Sequence, residues 1–290
     1  MPSSFVQKAD QTKSRAVELT LAHSPDSDDA FMFYALATKK IGARDLSFTH
    51  RLEDIESLNR KALKGIYDIT AISFHAYPYL EDKYVLLPSG ASFGDRYGPV
   101  VVSRAGVGFG SLKGKRVAVP GKMTTAYLAL QLYEPGVNAV VTSFDHILDS
   151  VARGEVDAGV VIHEGQLTYA NTGLRKVLDL GEWWYQETKL PLPLGANAVR
   201  RALDSYQARG SSIIEGEYSV FANSPRRGLV LRATVFARLG RRHCRPLCFH
   251  VRQRLDPRLR PAWPPGRPRV ARPGFPRGLL PKAVKAEYVE

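Results

Sequence analysis

The sequence has few cysteines and no long apolar run, and each absence excludes a class of protein. Two cysteines, Cys244 and Cys248, are too few for the disulfide framework of a small secreted domain. No run of about 18 apolar residues occurs, so no membrane-spanning helix is predicted. The first residues include Lys8, Lys13 and Arg15 and lack the apolar core of a signal peptide, which favours a cytoplasmic location.

Acidic residues are scarce only in the last third of the chain. Residues 1–200 contain 22 Lys and Arg against 22 Asp and Glu, whereas residues 201–290 contain 19 against 6, which accounts for the whole net charge of +13. A basic tail can bind nucleic acid non-specifically through phosphates. Because the body of the chain is neutral, we expect no specific nucleic-acid partner and no membrane partner. The oligomeric state is not predicted.

One stretch near the middle of the chain predicts a strand, a tight turn and a helix start. Residues 117–119 form the buried strand, Gly121 lies in the turn, and Thr124 or Thr125 is the N-cap. First-turn N–H groups lack intrahelical acceptors and the helix dipole is positive there, so such a junction can bind an anion. The two threonine hydroxyls would add donors, although the commoner role of Thr at a helix start is capping alone.

A histidine follows another predicted strand about forty residues further on. Residues 160–162 form a short apolar strand, so His163 and Glu164 emerge at its carboxyl end, where open α/β sheets place ligands. A lone His at a strand end is usually structural. Here Glu164 is an acidic neighbour that could set the tautomer or pKa of His163, and the anion site is close by. His163 is therefore a candidate general base.

Polar residues also follow a strand predicted at residues 17–21. The turn contains Ser24, Asp26, Asp28 and Asp29 and begins a helix over about residues 30–40. Three aspartates resemble a metal site, but Asp is favoured at helix N-termini for capping and dipole reasons. Capping is the better interpretation, and neither a metal nor a cofactor is predicted.

A third ligand-facing edge is predicted where the strand within residues 67–76 ends. Thr70, Ser73 and His75 place hydroxyls and an imidazole there. Ser73 could instead be a plain N-cap, and His75 is better interpreted as structural.

Two adjacent tryptophans, Trp183 and Trp184, point in different directions on a helix or strand. One is therefore expected in the core, and the other could line a pocket for a flat ligand. Residues 196–199 could return to the first half of the chain.

Five motifs occur in one order along residues 18–204. They are Ser24-Pro25 with Asp29-Ala-Phe-Met-Phe33, Leu52-Glu-Asp-Ile-Glu-Ser-Leu-Asn59, Val117-Ala-Val-Pro-Gly121 with Thr124-Thr-Ala-Tyr127, Ile162-His-Glu164 with Thr168-Tyr169, and Gly181-Glu-Trp-Trp184 with Leu190-Pro-Leu-Pro-Leu-Gly195. Together they resemble the 1,4-dihydroxy-6-naphthoate synthase family, lyases of the futalosine route to menaquinone that act on cyclic dehypoxanthinyl futalosine.

The resemblance implies an α/β fold of two lobes, like that of type II periplasmic binding proteins, with the ligand in the cleft. It implies that His163 is the catalytic base, that the paired threonines contact the substrate, and that no cofactor is used. The predicted substrate-binding residues are Thr124, Thr125, Thr70, Ser73, Ser24 and Asp29. Two alternatives share the fold: a non-catalytic solute-binding protein, and the chorismate dehydratase of the same pathway.

Three positions depart from the family pattern. The residues Asp26-Ser27-Asp28 stand where many members resemble Cys-Pro-Asn, Ala71 stands where some have Lys, and Gln166 stands where Arg is common. These departures concern how the carboxylate of the substrate is bound.

The composition changes abruptly after residue 204. Residues 201–281 contain 17 Arg and no Lys, and the family resemblance returns only at residues 278–289. Irregular or disordered structure is expected there by composition. Our hypothesis is that residues from about 205–225 to about 277 are read in a shifted frame, because Arg/Pro-rich, Lys-free sequence is typical of a G·C-rich gene out of frame. The predicted divisions are a disordered leader (1–17), a first lobe (18–101), a second lobe (102–196), a return to the first lobe (197–224), the Arg/Pro-rich segment (225–277) and a C-terminal tail (278–290).

Overall fold

A computed structural model describes residues 16–40, 46–106 and 110–203 of the chain. The strands in these ranges are β1 (Val17–His23), β2 (Leu46–Leu52), β3 (Ile69–Ser73), β4 (Tyr84–Leu86), β5 (Ser92–Gly94), β6 (Val100–Arg104), β7 (Arg116–Val119), β8 (Asn138–Val141), β9 (Ala158–Val161), β10 (Leu174–Asp179) and β11 (Leu192–Arg200). The α-helices are α1 (Ser27–Met32), α2 (Tyr34–Ala37), α3 (Ile55–Ala62), α4 (Thr125–Tyr133), α5 (Ile147–Ala152), α6 (Gly165–Thr168) and α7 (Leu180–Thr188). The segment 225–277, the tail 278–290 and nearly all of the leader 1–17 lie outside the described residues.

The first sheet has the strand order β2-β1-β3-β11-β4, and β5 also pairs with β11. β1 is parallel to β2 and β3, so that Leu21 lies opposite His50 on one side and Ile69 on the other. β11 is antiparallel to β3, β4 and β5. Residues 196–199, expected to return to the first half of the chain, do so as part of β11, which begins at Leu192.

The second sheet has the order β10-β6-β9-β7-β8. β7 is parallel to β8 and β9, whereas β6 is antiparallel to β9 and β10. Helix α4 covers one face, where Leu130 packs with Val117, and α5 covers the other, where Ile147 packs with Ala118. Two sheets with helical layers agree with the predicted α/β fold class. No helix in the described part of the chain combines the length and apolar character needed to cross a bilayer.

Helix α4 is buried on nearly every side. It packs against α7 and against β11 of the first sheet, in addition to its own sheet. The sequence agrees with this position, because even Thr125 and Gln131 are buried along with the apolar residues of the helix. A helix that is apolar all round belongs in a core rather than on a surface. The N-terminus of α4 consequently lies where the two sheets meet.

One sequence-based expectation about the elements was wrong in detail, and one strand was not predicted. The helix expected from about residue 30 begins at Ser27, because Asp26 accepts the N–H of Asp29, and it is interrupted at Phe33, which is buried in the core of the first sheet. Strand β10 was not predicted, because three consecutive residues of it are exposed and the alternation of a half-buried strand is lost.

Candidate active site

A cavity of about 160 Å³ is lined by residues that follow strands of both sheets. Its polar lining residues are Ser24, Asp26, Asp28, Asp29, Ser73, Ser92, Tyr97, Thr124, Thr125, His163, Gln166 and Asn197. Six of the predicted site residues are in this set. None of the described lining residues is Lys or Arg. Ala71 and Gln166, two of the positions that depart from the family pattern, both line this cavity.

His163 follows β9 in the chain, separated from the end of the strand by the single residue Ile162. Its backbone has φ 51°, in the left-handed region that residues other than Gly rarely adopt. The imidazole Nδ1 lies 3.0 Å from Oδ2 of Asp26, and the ring of Phe144 meets it edge-on with centroids 5.6 Å apart. The His163 side chain is 24% exposed and that of Asp26 is 6% exposed. The candidate base is thus held between a buried carboxylate and an aromatic ring at the cavity wall.

Glu164 does not set the tautomer of His163, contrary to the expectation from sequence. Its Oε1 accepts hydrogen bonds from the backbone N–H of Ser27, at 3.2 Å, and from the hydroxyl of Ser27, at 2.8 Å. Consecutive side chains point in different directions, so Glu164 reaches the first turn of α1 while His163 reaches Asp26. The acidic partner of the histidine comes from the other sheet.

The paired threonines cap α4 and join the sheets, rather than offering free hydroxyl hydrogens. The Thr124 hydroxyl donates to the Gly121 carbonyl at 2.7 Å and accepts the N–H of Tyr127 at 3.2 Å. The Thr125 hydroxyl donates to the Leu194 carbonyl at 2.8 Å and accepts the N–H of His75 at 3.1 Å. The predicted hydroxyl donors are therefore occupied, which corrects that part of the expectation.

Ser73, Ser24 and Asp29 line the cavity from the first sheet. The amide of Asn59 holds Ser73 by two hydrogen bonds, from Nδ2 to the hydroxyl at 3.0 Å and from the Ser73 N–H to Oδ1 at 2.8 Å. Asp29 accepts the N–H of Ser24 at 2.8 Å, which closes the turn after β1. These contacts fix the wall of the cavity, and direct contact of the three residues with a substrate stays a prediction.

Thr70 does not line the cavity. Its side chain lies on the opposite face of β3 from Ser73, is fully buried, and donates to the carbonyl of Ala71 at 3.1 Å. Alternate residues of a strand face opposite sides, and this period places residue 73 at the cavity and residue 70 away from it. The geometry therefore gives no support to Thr70 as a substrate contact.

The tryptophans and His75 also lie away from the cavity lining. Trp184 is in the core of the second sheet, as expected for one of the pair, whereas Trp183 packs edge-on against Tyr133 with centroids 5.4 Å apart. The expected pocket for a flat ligand is not formed by either ring. His75 is buried and its Nδ1 lies 3.1 Å from the Thr124 carbonyl, which agrees with a structural role.

A pair of histidines, the buried His23 and the half-buried His50, supports the turn that contains Ser24. Nδ1 of His23 lies 3.1 Å from the Ser24 carbonyl, and its Nε2 lies 3.1 Å from Nδ1 of His50. A carbonyl only accepts, so His23 Nδ1 is protonated, His23 Nε2 is the acceptor, and His50 Nδ1 is the donor. Burial lowers the pKa of His23 to about 4, and burial also lowers the pKa of His50. Both rings are therefore neutral at pH 7.

Sequence reasoning interpreted Asp26 only as a cap and did not single out Asn197. Asp26 is the N-cap of α1, as expected, and in addition it contacts His163. No local signal could have found that second contact, because it joins residues on different sheets. Asn197 is buried in β11 beside Met32, and the amide in an otherwise small and apolar run was the available signal.

A family model described as menaquinone biosynthesis matches residues 19–227. The 1,4-dihydroxy-6-naphthoate synthase of Thermus thermophilus is 47% identical over 185 residues, which cover 64% of this chain and 67% of that protein. The protein of the same name from Streptomyces coelicolor is 42% identical over 192 residues, with coverage of 64% and 67%.

Solved structures with the same fold include both a near and two distant relatives. Protein AF1704 of Archaeoglobus fulgidus is 44% identical with a TM-score of 0.72, covering 82% of this chain and 86% of that one. The alkanesulfonate-binding protein SsuA of Xanthomonas axonopodis pv. citri is 13% identical with a TM-score of 0.66, covering 94% and 97%. The sulphonate-binding SsuA of Escherichia coli is 12% identical with a TM-score of 0.61, covering 92% and 95%. At such low identity the two SsuA proteins show the fold alone, which is that of periplasmic binding proteins.

Proposed function

Because the chain belongs to the menaquinone-biosynthesis family, we propose that it is a 1,4-dihydroxy-6-naphthoate synthase that acts on cyclic dehypoxanthinyl futalosine as a carbon–carbon lyase. The observation that supports this most is the position of His163, paired with a buried carboxylate on the wall of a cavity, in a chain 47% identical to a protein of that name. A non-catalytic binding protein has no need of such a pair.

His163 is the proposed general base. It removes a proton from the spiro-carbocyclic part of the substrate, and formation of the aromatic naphthalene then drives loss of the sugar-derived part. A positioned general base contributes typically about 10²–10⁴-fold to the rate.

The N-terminus of α4 is the proposed site for the substrate carboxylate. Thr124 uses its hydroxyl to accept the N–H of Tyr127, so the N–H groups of Thr125 and Ala126 remain without a helical acceptor at the cavity. The helix dipole is positive there. Since the described lining has no Lys or Arg, these backbone N–H groups are the donors that can bind an anion there. The carboxylates of Asp26, Asp28 and Asp29 repel an anion from the α1 side of the cavity.

The test is incubation of the purified full chain with cyclic dehypoxanthinyl futalosine and detection of 1,4-dihydroxy-6-naphthoate. A chain with the frame restored over about residues 205–277 is assayed in parallel, and the active form serves as the parent. His163→Ala should lower kcat by roughly 10²–10⁴-fold, whereas the exposed His146→Ala serves as a control and should not. Unchanged turnover in His163→Ala would remove this residue from the mechanism.

Two further outcomes decide between the proposed function and its alternatives. Turnover of chorismate, with none of the futalosine derivative, would reassign the chain to the dehydratase of the pathway. Tight binding of the futalosine derivative without turnover in either chain would favour a solute-binding protein.

A further inference from the structure

We propose that Asp26 is the positioning residue of the reaction: it fixes the tautomer and orientation of His163 across the cleft. The inference rests on the proposed function, because it takes His163 as the base.

The two carboxylate oxygens of Asp26 have separate partners. Oδ1 accepts the N–H of Asp29 at 2.9 Å and so caps α1, while Oδ2 lies 3.0 Å from Nδ1 of His163. An ionised carboxylate only accepts hydrogen bonds, so the proton of the neutral imidazole is on Nδ1. Nε2 then has the unshared electron pair that a general base requires.

Capping alone does not account for this arrangement, as another aspartate in the chain shows. Asp54 caps α3 with φ −66° and ψ 156°, close to the φ −67° and ψ 166° of Asp26. Both oxygens of Asp54 bind its own helix, at the N–H of Ser57 (3.0 Å) and at the hydroxyl of Ser57 (2.6 Å). The second oxygen of Asp26 instead leaves its helix and contacts the histidine.

The backbone of His163 is consistent with a residue held for function. Its left-handed conformation persists only where surrounding contacts over-determine it, and such outliers cluster at active sites. The imidazole contacts the Asp26 carboxylate through Nδ1 and the ring of Phe144 edge-on, and both contacts restrict its orientation.

The contact joins the two sheets, since Asp26 follows β1 of the first sheet and His163 follows β9 of the second. The next residue on each side is also paired, because Glu164 accepts two hydrogen bonds from Ser27. Opening the cleft would separate both pairs. The base is therefore oriented by Asp26 only when the cleft is closed.

Asp26→Asn is the informative variant. Asn is as good an N-cap as Asp, so Oδ1 keeps the N–H of Asp29 and the helix start is preserved. The amide Nδ2 then faces Nδ1 of His163 as a donor, which moves the imidazole proton to Nε2 and removes the base. We expect kcat to fall by roughly 10²–10⁴-fold with KM little changed. Asp54→Asn is the matched control, and it should keep the parental kcat.

The tautomer is measured directly by ¹⁵N NMR of histidine-labelled protein, with His163→Ala used for assignment. The parental protein should show the proton on Nδ1 of His163, and Asp26→Asn should show it on Nε2. A proton on Nε2 in the parental protein would overturn the proposal, and this measurement does not depend on whether the variant folds. Parental kcat in Asp26→Asn, or an equal loss in Asp54→Asn, would also overturn it.

The design separates this proposal from the proposed function. If His163→Ala keeps its turnover, the mechanism fails whatever Asp26 does. If His163→Ala loses turnover while Asp26→Asn does not, His163 remains the base and the positioning role of Asp26 is refuted.

Discussion

Acid should destabilise this protein through the buried His23 and its half-buried partner His50. His23 is 4% exposed, and burial is the largest cause that lowers its pKa from 6.5 to about 4, with the nearby His50 acting in the same direction. The Ser24 carbonyl and Asp26 oppose this shift without cancelling it. Between these two pKa values the unfolded chain binds a proton that the folded chain does not. The contribution of the neutral His23 to stability is therefore fully present above pH 6.5 and is lost as the pH falls towards 4.

The magnitude follows from the pKa of His23. One pKa unit corresponds to about 1.4 kcal/mol, so the shift of His23 represents about 3 kcal/mol over its whole range. Between pH 6.5 and pH 4.5, the linkage relation gives a loss of roughly 2 kcal/mol in the free energy of unfolding. His50 adds to the loss in the same direction, because its pKa is also lowered by burial.

The assay is urea unfolding followed by circular dichroism at several pH values from 8 to about 4.5. His23→Gln removes the titrating ring, so its free energy of unfolding should fall less steeply between pH 6.5 and 4.5 than that of the parent, by roughly 2 kcal/mol over the window. His146→Gln changes an exposed histidine and is the control, because its pH dependence should follow that of the parent. The carboxyl groups are the same in all three proteins, so their contribution to the pH dependence cancels when the curves are compared.

Parallel curves for the parent and His23→Gln would refute the reasoning. They would mean that His23 binds a proton in the folded state as readily as in the unfolded state, and that its hydrogen bonds to Ser24 and His50 do not require the neutral ring.

Two further predictions concern the cleft and the end of the chain. Glu164→Ala removes both hydrogen bonds to Ser27, each worth about 1–2 kcal/mol, so the closed cleft should be less favoured and KM should rise by roughly 30-fold or more; an unchanged KM would contradict the role of this pair. Restoring the frame over about residues 205–277 should raise both melting temperature and turnover, because each recovered large apolar side chain contributes roughly 1.5–3 kcal/mol against a total of about 5–15. Equal stability and activity in the two chains would show that the Arg/Pro-rich sequence is genuine.

Local signals were enough to predict the strand, turn and helix start around Thr124. The valines of the strand, the Gly of the turn and the threonine cap all lie within about ten residues of one another. The structure has β7, the turn and α4 in those places. The five motifs were likewise sufficient for the family resemblance, which the identities to the two synthases confirm. Where the residues that decide a feature are adjacent in the chain, the prediction held.

The partner of His163 could not be predicted in this way. Glu164 is its neighbour in sequence, whereas Asp26 becomes its neighbour only through the arrangement of the two sheets. The prediction that Thr70 contacts the substrate lacks support for a simpler reason. The three-residue step from Thr70 to Ser73 places their side chains on opposite faces of β3. The short strands β4 and β5 have three residues each, too few for a periodic pattern.

The position of β11 affects the order in which the protein can fold during synthesis. β11 separates β1, β2 and β3 from β4 and β5, so the described first sheet is in two pieces until residues 192–200 have left the ribosome. The strands of the second sheet, β6 to β10, are all synthesised before that point. Until then β3, which is buried along its whole length in the native state, presents an unpaired edge that can associate with other chains. The nascent chain therefore depends on rapid docking of β11, which covers this edge, to avoid aggregation.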